Sequence, residues 1–207
     1  MITESNNTII KHLVNRLRDI RTHSFEFRTT IEEISRILLS EALANHDTIT
    51  VNIDTWQGDL DVQVVEEQSL VFIPILRAGE PMLTGILKSL PNARSGFLAM
   101  KRDEATASSH LFYESLPNLA GKTVILLDPM VATGGSLNDA VALVKEKKPK
   151  RIISLNILGS QLGVKVVAEA HGDIDMFIAQ IDPRLDDNKY IRPGLGDAGD
   201  RAFHTQD

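Results

Sequence analysis

Apolar segments recur along the chain and predict the strands of a sheet. They lie at residues 70–76, 94–100, 124–127, 152–158 and 174–179. The clearest, LVFIPIL at Leu70–Leu76, contains no polar residue. A strand with one face in water alternates apolar and polar residues, whereas a strand covered on both faces in a parallel sheet is apolar throughout. The segments therefore predict a parallel sheet covered by helices.

Between these segments, apolar residues recur at helical spacing. A first helix is predicted where five of them share one face: Ile9, Ile10, Leu13, Val14 and Leu17. Thr30 and Glu33 match a capping box, which predicts a second helix over residues 30–44. Further helices are predicted at residues 81–90, 137–147 and 164–170, the first of them beginning at Pro81.

One segment shows the period-two pattern of a half-exposed strand. Ile49, Val51 and Ile53 alternate with polar residues, and residues 56–58 end the strand. We expect Trp56 to be a partly buried local anchor, and packing at an interface is the alternative. Strand and helix otherwise alternate, which predicts an α/β fold with an open, mainly parallel sheet flanked by helices. Since no repeat or linker divides the chain, residues 1–207 are interpreted as one domain, with residues 1–28 forming a helical edge.

Composition narrows the classes of partner. The chain has 22 basic and 28 acidic residues, a formal charge of −6, which argues against a general nucleic-acid-binding surface. There is no cysteine and no apolar run long enough to span a membrane, so we expect a cytoplasmic protein without membrane partners. The six histidines are scattered, which makes a structural zinc site improbable. A small-molecule ligand fits this composition best.

The segment KTVILLDPMVATGGSL, residues 122–137, carries the first candidate site. A predicted strand ends at Asp128, and a loop with two hydroxyls and two glycines, Thr133 to Ser136, leads into a predicted helix. Glycines at a helix N-terminus let successive N–H groups face a bound phosphate. A carboxylate repels phosphate but accepts hydrogen bonds from sugar hydroxyls. The segment therefore predicts a site for a phosphorylated sugar.

Two arginines follow other predicted strands. Arg77 comes directly after Leu70–Leu76, and Arg102 follows residues 94–100. Ligands of open α/β sheets bind at the carboxyl ends of the strands, where an arginine can bind a diphosphate through two hydrogen bonds. Taken alone, each arginine is better explained as a surface residue in a solvated turn.

The C-terminal segment YIRPGLGDAGD, residues 190–200, contains a literal GxGxxG. A dinucleotide-binding fingerprint follows the first strand of a domain and is followed by a second strand, but only eight residues remain after Gly199. We interpret residues 182–207 as an irregular hood whose backbone contacts a flat ligand. A disordered glycine-rich terminus is the alternative interpretation.

Four of these motifs, PILRAG, RDE, DPMVATGGS and PGLGDAGD, occur in an order that resembles the uracil phosphoribosyltransferases of the type I phosphoribosyltransferase family. The resemblance covers residues 21–203. Asp128 is followed by Pro129, whereas most of the wider family has a second acid there, and this departure is typical of the uracil enzymes. The resemblance implies transfer of phosphoribose from 5-phospho-α-D-ribose 1-diphosphate to uracil, with Mg²⁺ as cofactor.

The resemblance also implies the roles of individual residues. Catalytic roles fall on Arg77, Arg102, Asp128 and Asp197. Phosphoribosyl diphosphate would be bound by Arg77, Arg102, Asp128, Pro129, Met130, Val131, Ala132, Thr133, Gly134, Gly135, Ser136 and Asp197. Uracil would be bound by Ile191, Gly196, Asp197 and Ala198, and Asp197 would contact the metal, in part through water.

Further expectations come from the same resemblance. It implies a flexible hairpin flap at residues 105–117, homodimers or homotetramers, and GTP as an effector in some members. The chain departs from the family at Ser115, where a lysine is common, and at Arg192, where an apolar residue is common. Two alternatives stay open: a phosphoribosyltransferase for another base, and a regulatory protein that binds nucleotide or RNA on the same fold.

Overall fold

A computed structural model describes residues 1–102 and 109–205, without the side chains of residues 101, 102, 109 and 110. The helices in this part of the chain are α1 (Thr8–Arg18), α2 (Ser24–Ala42), α3 (Glu80–Leu87), α4 (Gly135–Glu146), α5 (Gln161–Ala170) and α6 (Ala198–Phe203), with a 3₁₀ turn at Glu67–Ser69. The strands are β1 (Ile2–Glu4), β2 (Thr48–Thr55), β3 (Gly58–Val65), β4 (Leu70–Leu76), β5 (Arg94–Ser95), β6 (Phe97–Arg102), β7 (Ser109–Ser115), β8 (Thr123–Leu127), β9 (Met130–Val131), β10 (Arg151–Ser160), β11 (Asp175–Asp182), β12 (Arg184–Leu185) and β13 (Ile191–Arg192).

The central sheet has the strand order β1-β11-β10-β8-β4-β6-β7, with β5 beside β4 and β9 beside β10. Its neighbouring strands are parallel, apart from the antiparallel pair of β6 and β7. β4 and β8 lie side by side near the middle, and every residue of β8 is buried. The predicted α/β fold with a mainly parallel sheet is therefore confirmed.

Helices cover both faces of the sheet. Phe72 and Ile125 point to a core shared with α1, α2, α3 and α6, whereas their neighbours Val71 and Val124 point to a core shared with α4 and α5. This alternation explains why β4 is apolar throughout and why β8 is apolar except for Thr123, because both faces of each strand are buried. Among the described residues, no helix is long and apolar enough to cross a membrane.

The predicted start of the second helix is wrong. α2 begins at Ser24, and Thr30 lies within it, where its hydroxyl donates to the Glu26 carbonyl at 2.7 Å. Phe27 is fully buried and extends the apolar face of the helix by a turn. Burial of this face determines where the helix begins, and the capping-box spacing at residues 30–33 is incidental.

The N-terminal edge contains the predicted helix α1, preceded by a strand that the sequence analysis missed. β1 adds to the edge of the sheet through parallel pairing with β11. The terminal ammonium group of Met1 donates to the Ile174 carbonyl at 2.6 Å. Three residues are too short for a hydrophobic period, so only the partner strand identifies β1.

β2 and β3 form a separate antiparallel hairpin, paired over eight positions from Thr48↔Val65 to Thr55↔Gly58. The predicted strand at residues 49–53 is confirmed, but the expectation for Trp56 is wrong, because this side chain lies at the tip of the hairpin and is 91% exposed. Three further apolar residues of the hairpin are at least 41% exposed: Ile49, Ile53 and Leu60. The hairpin therefore presents an exposed apolar surface.

Candidate active site

A cavity of about 290 Å³ opens at the carboxyl ends of β4, β6 and β8. It is lined by Ile75, Leu76, Arg77, Ala78, Met100, Asp128, Met130, Val131, Ala132, Thr133, Gly134, Gly135, Ser136, Leu137 and Asp197. Parallel strands end at the same edge, so segments that are far apart in the chain meet there. Arg77, the loop that follows β8, and Asp197 of the C-terminal hood consequently face one cavity.

Asp128 follows β8 directly and is only 9% exposed. The Met130 N–H donates to its Oδ1 at 3.2 Å. Burial raises the pKa of Asp128 to about 7, and this hydrogen bond lowers the pKa by a smaller amount. The carboxylate is therefore only partly ionised near neutral pH, and ligand groups that donate hydrogen bonds to it would stabilise its charge.

Two buried polar residues of β10 support the backbone at Asp128. The Asn156 side-chain amide donates to the Asp128 carbonyl at 2.7 Å, and the Ser154 hydroxyl donates to Asn156 Oδ1 at 2.9 Å. The Leu155 carbonyl accepts from the Asp128 N–H at 3.2 Å. The sequence analysis missed this support, although polar residues within an otherwise apolar strand are the signal that could have indicated it.

The phosphate loop, which we define as residues 128–136, ends at the N-terminus of α4. Gly134 caps this helix in the left-handed conformation, with φ of 84°, which favours glycine. The first turn of α4 lies at the positive end of the helix dipole, which favours an anion there. Thr133, Gly134, Gly135 and Ser136 all line the cavity. The loop can therefore bind a phosphate group.

α5 supports the phosphate loop from behind. The Ser160 hydroxyl donates to the Ala132 carbonyl at 2.5 Å and accepts from the Gly163 N–H at 2.8 Å, so it caps α5 and holds the loop together. A Cβ at Gly163 would collide with the Ala132 carbonyl. Pro129 takes part through its carbonyl, which accepts from the Leu158 N–H at 2.9 Å. The serine directly before the predicted helix is a cap signal that the sequence analysis did not use.

Arg77 lies in the turn after β4, and its peptide bond with Leu76 is cis. A Cβ at Gly79 would lie 2.9 Å from Ile75 N and would also collide with the Leu127 carbonyl, so this turn packs closely against β8. The Arg77 guanidinium donates to Asp200 Oδ1 at 3.1 Å and to Thr205 Oγ1 at 3.4 Å. Arg77 therefore joins the β4 turn to the end of the hood.

The hood places its four predicted base-binding residues in two environments. Ile191 and Ala198 are 3% and 4% exposed, with their side chains in the core. Gly196 and Asp197 are exposed, and Gly196 has a φ of 85°. Asp197 caps α6 by accepting from the Asp200 N–H at 2.8 Å. Of these four residues, Gly196 and Asp197 are therefore the two that are accessible from outside the core.

The structure gives different outcomes for the other predicted residues. The Arg102 side chain lies outside the described residues, and so do residues 105–108 of the predicted flap. The described part of that flap contains β7, which pairs antiparallel with β6. Arg192, the last residue of β13, is exposed, and its Nε donates to Asp186 Oδ2 at 2.8 Å. This ion pair joins β13 to the turn after β12, which accounts for a charged residue at that position.

The donor set of the cavity suits Mg²⁺ that is bound largely by a ligand. Two carboxylates, Asp128 and Asp197, line the cavity. Within residues 1–102 and 109–205, no group of three or more His, Asp or Glu side chains could hold a metal ion. Mg²⁺ keeps several waters and is commonly bound by one or two carboxylates together with substrate phosphates. The residues present therefore fit this mode of binding.

Comparison with known proteins agrees with the family resemblance of the sequence motifs. A family model described as uracil phosphoribosyltransferase matches residues 4–205. A uracil phosphoribosyltransferase of Aquifex aeolicus is 40% identical over 203 residues, covering 98% of each chain. Another from Wolinella succinogenes is 39% identical over 206 residues, covering 99% of each chain.

Solved structures support the same architecture. An Aquifex aeolicus protein that is 40% identical superposes with a TM-score of 0.95, covering 98% of each chain. A hypoxanthine-guanine phosphoribosyltransferase from Bacillus anthracis is 14% identical, with a TM-score of 0.52 over 77% of this chain and 80% of that one. The second similarity extends to the fold alone.

The raised pKa of Asp128 predicts a pH-dependent effect of Asp128→Asn on stability. Because the folded-state pKa of about 7 lies above the ordinary value of 3.8, the stability that the Asp128 carboxyl group contributes is complete below about pH 4 and is lost as the pH rises through 7. Asparagine carries no charge at any pH, so this variant should be more stable than wild type at about pH 8, by up to about 4 kcal/mol, and similar to it at about pH 4. Urea unfolding at both pH values measures the difference.

The exposed Asp139 of α4 provides the matched control. Asp139→Asn should leave the unfolding free energy within about 0.5 kcal/mol of wild type at both pH values. An Asp128→Asn effect of the same size at pH 4 and pH 8 would contradict the buried, partly protonated carboxyl group.

Proposed function

This chain belongs to the uracil phosphoribosyltransferase family, and on that premise we propose that it transfers phosphoribose from 5-phospho-α-D-ribose 1-diphosphate to N1 of uracil. The products are UMP and diphosphate, as expected of pyrimidine salvage. The observation that carries the proposal is that one cavity is lined by a phosphate loop, a buried carboxyl group, an arginine and the hood. Each part suits a different portion of the two substrates.

The phosphate loop and Asp128 would bind the ribose 5-phosphate portion. Main-chain N–H groups at Gly134 to Ser136, at the N-terminus of α4, suit the 5-phosphate. Asp128 lies at the opposite end of the loop, where its carboxylate can accept hydrogen bonds from the ribose hydroxyls. These donors favour ionisation, so sugar binding should lower the raised pKa of Asp128.

Arg77 and Arg102 would bind the diphosphate. Arg77 already lies in the cavity wall, where its ion pair with Asp200 is exposed enough for an incoming diphosphate to compete for the guanidinium. Mg²⁺, when bound with the donor, would neutralise charge on the leaving diphosphate, and Asp197 would contact it in part through water. Both arginines would stabilise the same developing charge.

The main chain of the hood would bind uracil. Uracil presents two carbonyl oxygens and an N3–H, which amide N–H and C=O groups can pair with. Gly196 and Asp197 are exposed beside the cavity, whereas Ile191 and Ala198 anchor the hood in the core. Because backbone groups have fixed spacing, such a site distinguishes bases by the positions of their donors and acceptors.

The reaction exchanges one bond at the anomeric carbon for another. The bond from C1 to the diphosphate oxygen breaks, the bond from C1 to uracil N1 forms, and the N1 proton is released. Asp197 is our candidate acceptor of this proton, since it is the ionisable residue of the hood that lines the cavity. Catalysis would depend mainly on positioning and on charge stabilisation at the diphosphate.

We further propose that the protein is a homodimer or homotetramer in the cytoplasm. The exposed apolar residues of the β2–β3 hairpin support self-association, because an isolated two-stranded hairpin is only marginally stable in water. The charge of phosphoribosyl diphosphate supports a cytoplasmic location, since a sugar diphosphate does not enter a lipid bilayer unaided. GTP is a candidate effector, as the family resemblance implies.

We expect diphosphate release and UMP formation when the protein is supplied with phosphoribosyl diphosphate, Mg²⁺ and uracil. Parallel assays with cytosine, hypoxanthine and orotate, each with and without GTP, would measure base choice and activation. Asp128→Ala should fold normally but lose about 100-fold or more in turnover, because the ribose loses its buried partner. Release only with another base would contradict the choice of uracil, and no release with any base would favour a regulatory protein.

We expect Trp56→Ser to weaken self-association without unfolding the chain, because this side chain is 91% exposed in the single subunit. Sedimentation velocity over a range of concentrations would measure the shift toward monomers. Phe25→Ser is the matched control, since Phe25 is an exposed aromatic residue outside the hairpin. A monomeric wild-type protein, or a Trp56→Ser variant that assembles like wild type, would refute the role of the hairpin.

A further inference from the structure

A buried ion pair outside the cavity joins the N-terminal helix to the sheet. Arg18, the last residue of α1, donates to both carboxylate oxygens of Asp182 at 2.7 and 2.8 Å. Asp182 is the last residue of β11 and is 1% exposed. Such a two-point contact fixes the relative orientation of both side chains. Because this ion pair lies behind the hood, it can support the hood.

The same ion pair binds both backbone groups of Gly194. Arg18 Nη1 donates to the Gly194 carbonyl at 2.7 Å, and the Gly194 N–H donates to Asp182 Oδ2 at 2.9 Å. Gly194 is buried in the left-handed conformation, with φ of 66°. The hood is therefore anchored two residues before Gly196, which is exposed beside the cavity.

A second arginine anchors the hood on the other side of Gly196. Arg201 of α6 donates to the Leu195 and Asp19 carbonyls, each at 2.7 Å, and to the Leu17 carbonyl. Its guanidinium carbon lies 4.4 Å from the centre of the Phe27 ring, in cation–π geometry. The C-terminal end of α1 and the residue that follows it thus contact the hood both before and after Gly196.

We propose that Arg18 and Asp182 are positioning residues for the base, acting through Gly194. This inference rests on the proposed function and extends it, by assigning part of the specificity for uracil to the N-terminal helix. A glycine-rich segment loses much conformational entropy on binding unless it is already held in the bound conformation. The ion pair supplies that restraint from outside the cavity, so it should affect the base more than phosphoribosyl diphosphate.

Arg18→Lys tests the inference, because lysine keeps the charge but cannot contact both Asp182 oxygens and the Gly194 carbonyl in a planar fork. We expect the KM for uracil to rise about tenfold or more, whereas the KM for phosphoribosyl diphosphate stays within about twofold. A general loss of structure would instead lower the active fraction, and hence kcat, without separating the two KM values. Steady-state kinetics with each substrate varied in turn measures this separation.

Arg21→Lys is the matched control, because Arg21 forms an exposed ion pair with Asp19, directly after α1. This variant should leave both KM values unchanged. Asp182→Asn, which is nearly isosteric, is the second variant and should show the same selective rise as Arg18→Lys. Thermal unfolding of each variant monitors the fold. If both variants lose the fold, the ion pair holds the whole core and the inference is wrong.

The remaining outcomes separate this inference from the proposed function. If the wild-type chain is active and Arg18→Lys keeps its KM for uracil, or raises both KM values equally, the positioning role is overturned while the proposed function stands. If the wild-type chain releases no diphosphate with any base, the proposed function fails and this inference fails with it. A selective rise in the KM for uracil in both variants, with neither KM changed in the control, supports it.

Discussion

The burial of one carboxyl group, that of Asp128, is the constraint on which the site depends. A carboxylate loses solvation when it is buried, and here the pKa rises to about 7 as a result. The surrounding structure tolerates this cost by holding the backbone of Asp128 through Asn156 and Leu155. A ligand rich in hydroxyl groups would replace the lost solvation, so under the proposed function the end of β8 suits a sugar better than a simple anion.

The architecture places the other groups around this carboxyl by ending parallel strands at one edge. The phosphate loop starts from β8, Arg77 follows β4, and the hood returns after β11. Each of these segments is supported from outside the cavity. Ser160, which caps α5, holds the phosphate loop, and the close packing of Gly79 against β8 holds the turn that carries Arg77. Arg18 of α1 holds the hood. Residues outside the cavity therefore hold the residues that line it, as a preorganised site requires.

The sequence predicted the central strands and the main cavity residues, because these signals are local. Residues 124–127 of strand β8 are all apolar, and Asp128 with the glycines after it has a recognisable chemistry within nine residues. The supporting contacts are not local: Asn156 and Arg18 reach partners 28 and 164 positions away in the chain. Trp56 was misjudged for the same reason, since its exposure depends on where the hairpin projects. Local patterns indicate chemistry, whereas packing partners are determined by the fold.

A crystal structure of the protein with bound UMP would test the central claim most directly, because UMP carries the phosphate, the ribose and the base together. The phosphate should lie on the N–H groups of Gly134 to Ser136, the ribose hydroxyls on Asp128, and the uracil ring against main-chain groups of Gly196 to Ala198. A phosphate bound away from the start of α4, or a base that makes no contact with the hood, would contradict it.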